Sequence, residues 1–186
     1  MKSNLNIADT TAFDLDLLFF DTEATGLMPS HELIEIGFLK VRRSDLSVLH
    51  QENIKVQPLQ ISKADPVSME YNHYSPQAWK DALHPKAALQ RFLQFSEGCM
   101  LVGHNLAFDW AQLWKYIDRY GLQANFYYKG LDVFSFALAK LGKNPQLKYY
   151  SLSEFAQYFG IEREKKHEAL ADAYTTYLVY KALQGV

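Results

Sequence analysis

"LFFDTEATGL", Leu18–Leu27, carries an apolar run straight into Asp21 and Glu23, two carboxylates at i and i+2, and then into Ala-Thr-Gly-Leu. Alternate side chains of a strand share a face, so these acids would project together with like charges close enough to repel. Either they lie apart in a solvated turn, or a cation sits between them. The residues before them, Leu15–Phe20, predict a buried central strand that ends where the acids begin.

Working outward, His31–Arg43, with Ile34, Ile36, Phe38 and Val41, predicts a second strand, and Val48–Val56 a third. The turn Arg43-Ser44-Asp45 joins them, and such short connections favour antiparallel pairing. Gln57–Pro85 carries Pro58, Pro66, Pro76 and Pro85, which predicts a loop-rich excursion with short helical pieces. Beyond it the pattern predicts a helix over Pro85–Phe95, a strand over Cys99–Val102, a helix over Ala107–Tyr120 closed by Gly121, and a strand over Lys129–Val133. After Phe134 the chain reads as helical. Ser151 and Glu154 have the spacing of a capping box, Gly160 closes that short helix, and a last helix runs from about Glu168 to Leu183. The order implies an α/β fold: a mixed sheet of three antiparallel strands plus parallel strands, flanked by helices on both faces.

The chain has 186 residues, 48% of them hydrophobic and 15% aromatic, enough for a full core in a single domain spanning 1–186, with residues 1–13 as a loose lead-in. One cysteine, Cys99, sits in an apolar run, which excludes a disulfide framework and a cysteine metal cluster. There is no signal-peptide pattern and no apolar run of membrane-spanning length, so the expectation is a soluble, cytoplasmic protein with no membrane partner. The formal net charge is −2, so nucleic acid would have to be bound locally rather than by the whole surface. The signatures of nucleotide-triphosphate motors, serine hydrolases and zinc proteases are missing from the sequence.

Two further stretches carry acids. "GHNLAFD", Gly103–Asp109, leads from a strand into a helix, where an acid such as Asp109 suits the helix dipole. "HEALADA", His167–Ala173, opens the last helix. Five residues correspond to about 140° of helical rotation, so His167 and Asp172 cannot share a face of one helix. They converge only if His167 lies on the preceding loop.

"FFDTEATGL", "GHNLAFD" and "HEALAD", in that order, resemble the three motifs of the DEDDh exonuclease family, and "YSLSEFAQYFGI", Tyr149–Ile161, resembles the family's helix between the second and third. The resemblance implies a ribonuclease H-like fold and hydrolytic removal of nucleotides from a 3′ end. It is similar in flavour to the proofreading subunits of bacterial replicative polymerases, while RNase T-type enzymes and oligoribonucleases share the same residues. It further implies that Asp21, Glu23, Asp109, His167 and Asp172 are catalytic. The four acids would hold two Mg²⁺ ions, with Mn²⁺ as a substitute, and His167 would take a proton from the attacking water. Imidazole suits that work around neutral pH.

Other substrate contacts follow with less direct signals. Gly26 allows close backbone approach, Leu27 would wedge against the terminal base, and Ala24 and Thr25 would hold the terminal hydroxyl. His104 and Asn105 would order the approach to Asp109, with a structural hydrogen bond expected at His104. Met69–Tyr74 would supply the other wall of the base pocket, with no single residue assigned. Lys140, Lys143 and Lys148 beside Tyr149, Tyr150 and Ser151 suit a single strand, or equally a solvated loop. Arg163, Lys165 and Lys166 could attract phosphate, but the alternating Glu162 and Glu164 favour an exposed linker. The expected partner is a single-stranded 3′ end, DNA ahead of RNA, with a DNA polymerase or a second copy as further partners. RNA trimming is the first alternative, and a non-catalytic module that binds nucleic-acid ends the second.

Overall fold

The computed structural model describes residues 11–163 and 167–185. Most of the expected lead-in, residues 1–10, and the basic pair Lys165 and Lys166 therefore lie outside the described residues. Five strands form one sheet in the order β3-β2-β1-β4-β5. They are β1 (Leu17–Ala24), β2 (Leu33–Val41), β3 (Val48–Lys55), β4 (Met100–Gly103) and β5 (Leu131–Asp132). The first three pair antiparallel, while β1, β4 and β5 run parallel. The expected mixed sheet is thus present.

Its central strand is longer than expected, and the difference creates the site. β1 does not stop at Phe20 but continues through both acids to Ala24. Against β2 it is paired along its whole length, from Leu17↔Val41 to Ala24↔Leu33, whereas its pairing with β4 covers only Leu17, Leu18 and Phe19. Asp21 and Glu23 therefore lie on a strand held on one side only. On the other side a crevice opens at the carboxyl ends of parallel strands, where open α/β sheets bind their ligands.

Period-two alternation gives the sheet two faces. Leu18, Phe20, Ile36, Phe38 and Ile54 pack with helices α2 (Pro85–Ser96) and α3 (Leu106–Tyr120). Leu17, Phe19, Leu39 and Val41 pack with α4 (Val133–Leu141), α5 (Leu152–Tyr158) and α6 (Ala169–Gln184). Phe19, Phe20, Phe38, Phe92 and Phe155 are all fully buried, and each contributes about 1.5–3 kcal/mol of apolar transfer to this framework. The Pro-rich excursion holds a single 3₁₀ turn at Ile61–Lys63 and the short helix α1 (Pro66–Tyr71), with Asp65 capping Val67 and Ser68. The strand expected over Lys129–Val133 shrinks to two residues, because Asp132 turns its carboxylate onto the N–H groups of Phe134 and Ser135 and starts α4 at once.

Candidate active site

Asp21 and Glu23 project from β1 towards the face covered by α6, opposite Gly37 and Glu35 of β2. Gly37 is what allows α6 to lie so low. A Cβ at that position would stand 2.0 Å from the Leu170 nitrogen and 2.1 Å from the Ala169 carbonyl carbon, so only a bare Cα fits beneath the helix start. Asp172, in the first turn of α6, is thereby lowered onto the two β1 acids. His167 lies on the loop before the helix, in a left-handed conformation (φ 59°), as convergence with Asp172 requires. One ligand atom each from Glu23, His167 and Asp172 lie within 4.8 Å of one another.

Asp109 arrives from the opposite layer. The turn from β4 into α3 passes through a left-handed Asn105, whose N–H donates to Asp132 Oδ1 at 2.8 Å, so β5 fixes where α3 begins. One turn in, the buried Asp109 reaches past the end of β4 to the backbone of β1. There the Thr22 N–H and hydroxyl both donate to its Oδ1, at 2.8 and 2.6 Å. Thr22 alternates with Asp21 and Glu23 along the strand, so one short segment supplies two acids on one face and holds a third from the other.

Burial, with repulsion from neighbouring carboxylates at Asp21 and Glu23, makes Asp21, Glu23 and Asp109 reluctant to ionise. Burial first, then Asp109, Glu23 and Asp172, push the Asp21 carboxyl well above the usual carboxylate range. Burial and the neighbouring Asp172 raise Glu23 to about 8. Burial likewise raises Asp109 to about 7, against the pull of its two Thr22 hydrogen bonds. Carboxylates arranged in this way are stabilised in their charged form by cations. The donors are oxygen atoms with one imidazole beside them, a set suited to a hard divalent ion. One protein cation already borders the group: the nearly buried Arg163 guanidinium pairs with Asp172 Oδ1 and donates to Ser153 Oγ at 2.6 Å.

A cleft of about 300 Å³ is lined by Glu23 and His167 together with Leu27, Val67, Tyr71 and Phe108 and the polar Asp65, Ser68 and Asn72. Leu27 is 80% exposed, so core packing does not account for it. The Tyr71 ring meets the His167 ring edge-on at 5.5 Å.

The sequence pattern of the exonuclease family described as RNase_T matches residues 18–180, which take in every acid of this group. The chain belongs to the exonuclease family. It is 29% identical over 178 residues to a PolC-type DNA polymerase III of Thermotoga maritima and 27% identical over 161 residues to that of Pediococcus pentosaceus. Those alignments cover 94% and 86% of this chain but only 12% and 11% of the two polymerases. In fold it is similar to exonuclease I, with a TM-score of 0.80 at 19% identity over 92% of this chain and 41% of that one. The Escherichia coli exonuclease I complex with a dT13 oligonucleotide gives 0.78 at 20%, over 91% and 41%. The ribonuclease H-like fold expected from the motifs is thus present.

Within this exonuclease fold the other expected contacts divide. The buried Thr25 exchanges backbone and hydroxyl hydrogen bonds with Glu32 and accepts from the Asp65 N–H, so it shapes the loop. The Ala24 carbonyl accepts from Asn72 Nδ2 at 2.8 Å, and Gly26 makes room for the His31 ring. His104 Nδ1 is buried with no hydrogen-bond partner among the described residues, and its ring abuts Phe134 and Phe155. Ser151 caps α5 in the expected box with Glu154, while Tyr149 is exposed beneath the Lys148 ammonium. Residues that the sequence did not single out for the site are Thr22, Glu35, Gly37, Val67 and Phe108. The charge pattern around Arg163 favours an exposed linker, yet its side chain is nearly buried against Asp172. Each is defined by contact with a distant element, and the one local hint, Thr22 between two acids, carries no meaning until Asp109 is seen beside it.

Proposed function

We propose that this chain is a divalent-metal-dependent 3′→5′ exonuclease that removes nucleotides from single-stranded ends, DNA ahead of RNA. The observation that carries the reading is the meeting of Glu23, His167 and Asp172 within 4.8 Å, with Glu23 and His167 also lining a cleft that holds Leu27, Val67, Tyr71 and Phe108. A non-catalytic end-binding module needs no such meeting of acids and imidazole. The preference for DNA is supported by the polymerase relatives and by the oligonucleotide named in the exonuclease I complex.

Asp21, Glu23, Asp109 and Asp172 would hold two Mg²⁺ ions, with Mn²⁺ as a substitute. Bound there, such ions neutralise phosphate charge, activate water and stabilise the departing oxygen. The terminal base enters between Leu27 and Phe108 on one side and Val67 and Tyr71 on the other, since bases favour apolar and aromatic surfaces. This assigns Tyr71, and Val67 just before the expected segment, to the second wall. His167 takes a proton from water as its oxygen attacks phosphorus. The P–O3′ bond breaks, the terminal nucleotide leaves as a 5′-monophosphate, and the shortened strand takes up a proton at its new 3′ hydroxyl. Lys148 and Tyr149, whose ammonium and ring stack on each other, would accept a phosphate and a base of the incoming strand. A polymerase or a second copy of the chain is proposed as a further partner, and the cytoplasm as its location. No helix among the described residues is long and apolar enough to cross a membrane.

The test uses 5′-labelled and 3′-labelled DNA and RNA strands with Mg²⁺, Mn²⁺ or chelator. Stepwise shortening from the 5′ label, immediate release of a labelled mononucleotide from the 3′ label, and silence in chelator are expected. Asp21→Ala and His167→Ala should lose activity, and wild-type rates in Asp21→Ala overturn the assignment. RNA cut faster than matched DNA moves the reading to an RNA-trimming enzyme.

A further inference from the structure

Helix α6 carries Asp172 in its first turn and follows directly on His167, so the fixing of its N-terminus fixes both. Its own N-cap residue, Glu168, makes no side-chain capping hydrogen bond. A helix start leaves N–H groups that need acceptors. The acceptor here comes from the sheet: Glu35 Oε2, near the start of β2, receives the Ala169 N–H at 3.1 Å across 134 positions of sequence. Its other oxygen, Oε1, receives Asn53 Nδ2 at 2.8 Å from the edge strand β3.

Glu35 is only 3% exposed, and burying a carboxylate is costly unless hydrogen bonds compensate. Burial raises its pKa, while the Ala169 N–H and the Asn53 amide pull it back. It lies directly opposite Glu23 in the β1–β2 ladder, two residues from the Gly37 that lets α6 approach. It also lines, with His167, a cleft of about 190 Å³. Because each of its oxygens already accepts an N–H, it is suited to steer the neighbouring acids.

We propose that Glu35 is a positioning residue for the reaction: a remote N-cap that holds α6, and with it His167 and Asp172, in register with Glu23. The proposal rests on the exonuclease reading above. What matters is an acceptor for the Ala169 N–H. Gln at this position retains one, and its amide can donate to Asn53 Oδ1, which is buried with no partner among the described residues. Met fills similar space and offers no acceptor.

The test compares Glu35→Gln, Glu35→Met and Asn53→Ala with the wild type, by single-strand kinetics and by amide exchange of Ala169. Misplacement of about 1 Å can cost on the order of 10²-fold, so Glu35→Met is expected to lose about 30-fold or more in kcat with KM within about threefold. Glu35→Gln is expected to stay within about threefold of wild type in both constants. Ala169 exchange should quicken in Glu35→Met and, to a smaller degree, in Asn53→Ala, which removes the amide that steadies Oε1. An unchanged kcat in Glu35→Met overturns the proposal, and so does a Glu35→Gln as damaged as Glu35→Met, which would make charge the relevant property. Should Glu35→Met fail to fold, unchanged Ala169 exchange in Asn53→Ala serves the same purpose. A wild-type chain with no nuclease activity would sink the exonuclease reading, while the exchange comparison would still report on the cap.

Discussion

Gly37 of β2 and Leu170 of α6 meet so closely that a Cβ on the glycine would stand 2.0 Å from the Leu170 nitrogen. The obstacle is helix backbone, which cannot swing aside as a side chain can. Gly37→Val should therefore lift the start of α6 off the sheet and draw Asp172 and His167 away from Glu23. We expect kcat to fall about 100-fold, in line with an ångström-scale misplacement, together with weaker divalent-ion binding by calorimetry. Wild-type metal affinity in a folded Gly37→Val would show that the low seat of α6 is not what assembles the acids.

Much of this arrangement was legible in the sequence where local rules apply. The hairpin strands, the helix closed by Gly121, the Ser151–Glu154 box and the loop position of His167 follow from periodicity, capping and helical geometry. The end of β1 was not legible, because polar residues after Phe20 look like a turn until β2 is seen to pair with them as far as Ala24. β5 was overestimated because Asp132 reads as one more strand residue, whereas its carboxylate caps α4 and also receives the Asn105 N–H. Glu35 alternates with apolar neighbours like any half-exposed strand residue, and only a contact 134 positions away shows that it is buried and capped. Arg163 reads as part of a charged linker for the same reason: Ser153 and Asp172 lie on two different helices.

The raised acids fix the direction of pH dependence. Asp21 is pushed well up, Glu23 to about 8 and Asp109 to about 7, so the fold favours their protonated forms more than the unfolded chain does. Their ionisation therefore costs stability, progressively, from the ordinary carboxyl range near pH 4 up to about pH 8. In chelator, the melting temperature should fall between pH 5 and pH 8, and saturating Mg²⁺ should reverse most of the loss at the upper end. Metal binding near pH 7 should release protons, visible as a calorimetric heat that depends on the buffer's ionisation enthalpy. A melting temperature in chelator that rises over the same range would contradict the crowding of these groups.

Thr22→Val separates holding an acid from being one. Valine keeps the shape of threonine and removes only the hydroxyl that donates to Asp109 Oδ1 at 2.6 Å, leaving the backbone N–H in place. A hydrogen bond to a charged group contributes about 1.5–3 kcal/mol, so the charged Asp109 should become harder to maintain. The expected result is activity lowered about tenfold at limiting Mg²⁺ and largely recovered at high Mg²⁺. A loss that no metal concentration repairs would assign Thr22 a different role.

Lys115 tests whether the loop beyond β1 opens paired ends. Its ammonium donates to the carbonyls of Pro29 and His31 and to Gln112 Oε1, tying the loop that presents Leu27 and Met28 to the helix that carries Asp109. The tie is internal to the loop as well, since the Met28 N–H donates to His31 Nδ1 at 3.0 Å. Leu27 and Met28 stand 80% and 61% exposed at its tip, so core packing does not hold them, and the proposed reading has Leu27 meet the terminal base. Removing the donors in Lys115→Met should loosen the wedge while leaving the four acids untouched. Unpaired single strands should then be cut within about threefold of wild type, and matched duplex ends, whose terminal pair must be forced apart at a cost of a few kcal/mol, at least about tenfold more slowly. Burial lowers Lys115 to about 8, so the wild type should show the same selective loss on paired ends as pH rises past that value and the ammonium gives up a proton. Equal slowing on both substrates would place Lys115 in the support of the acids instead.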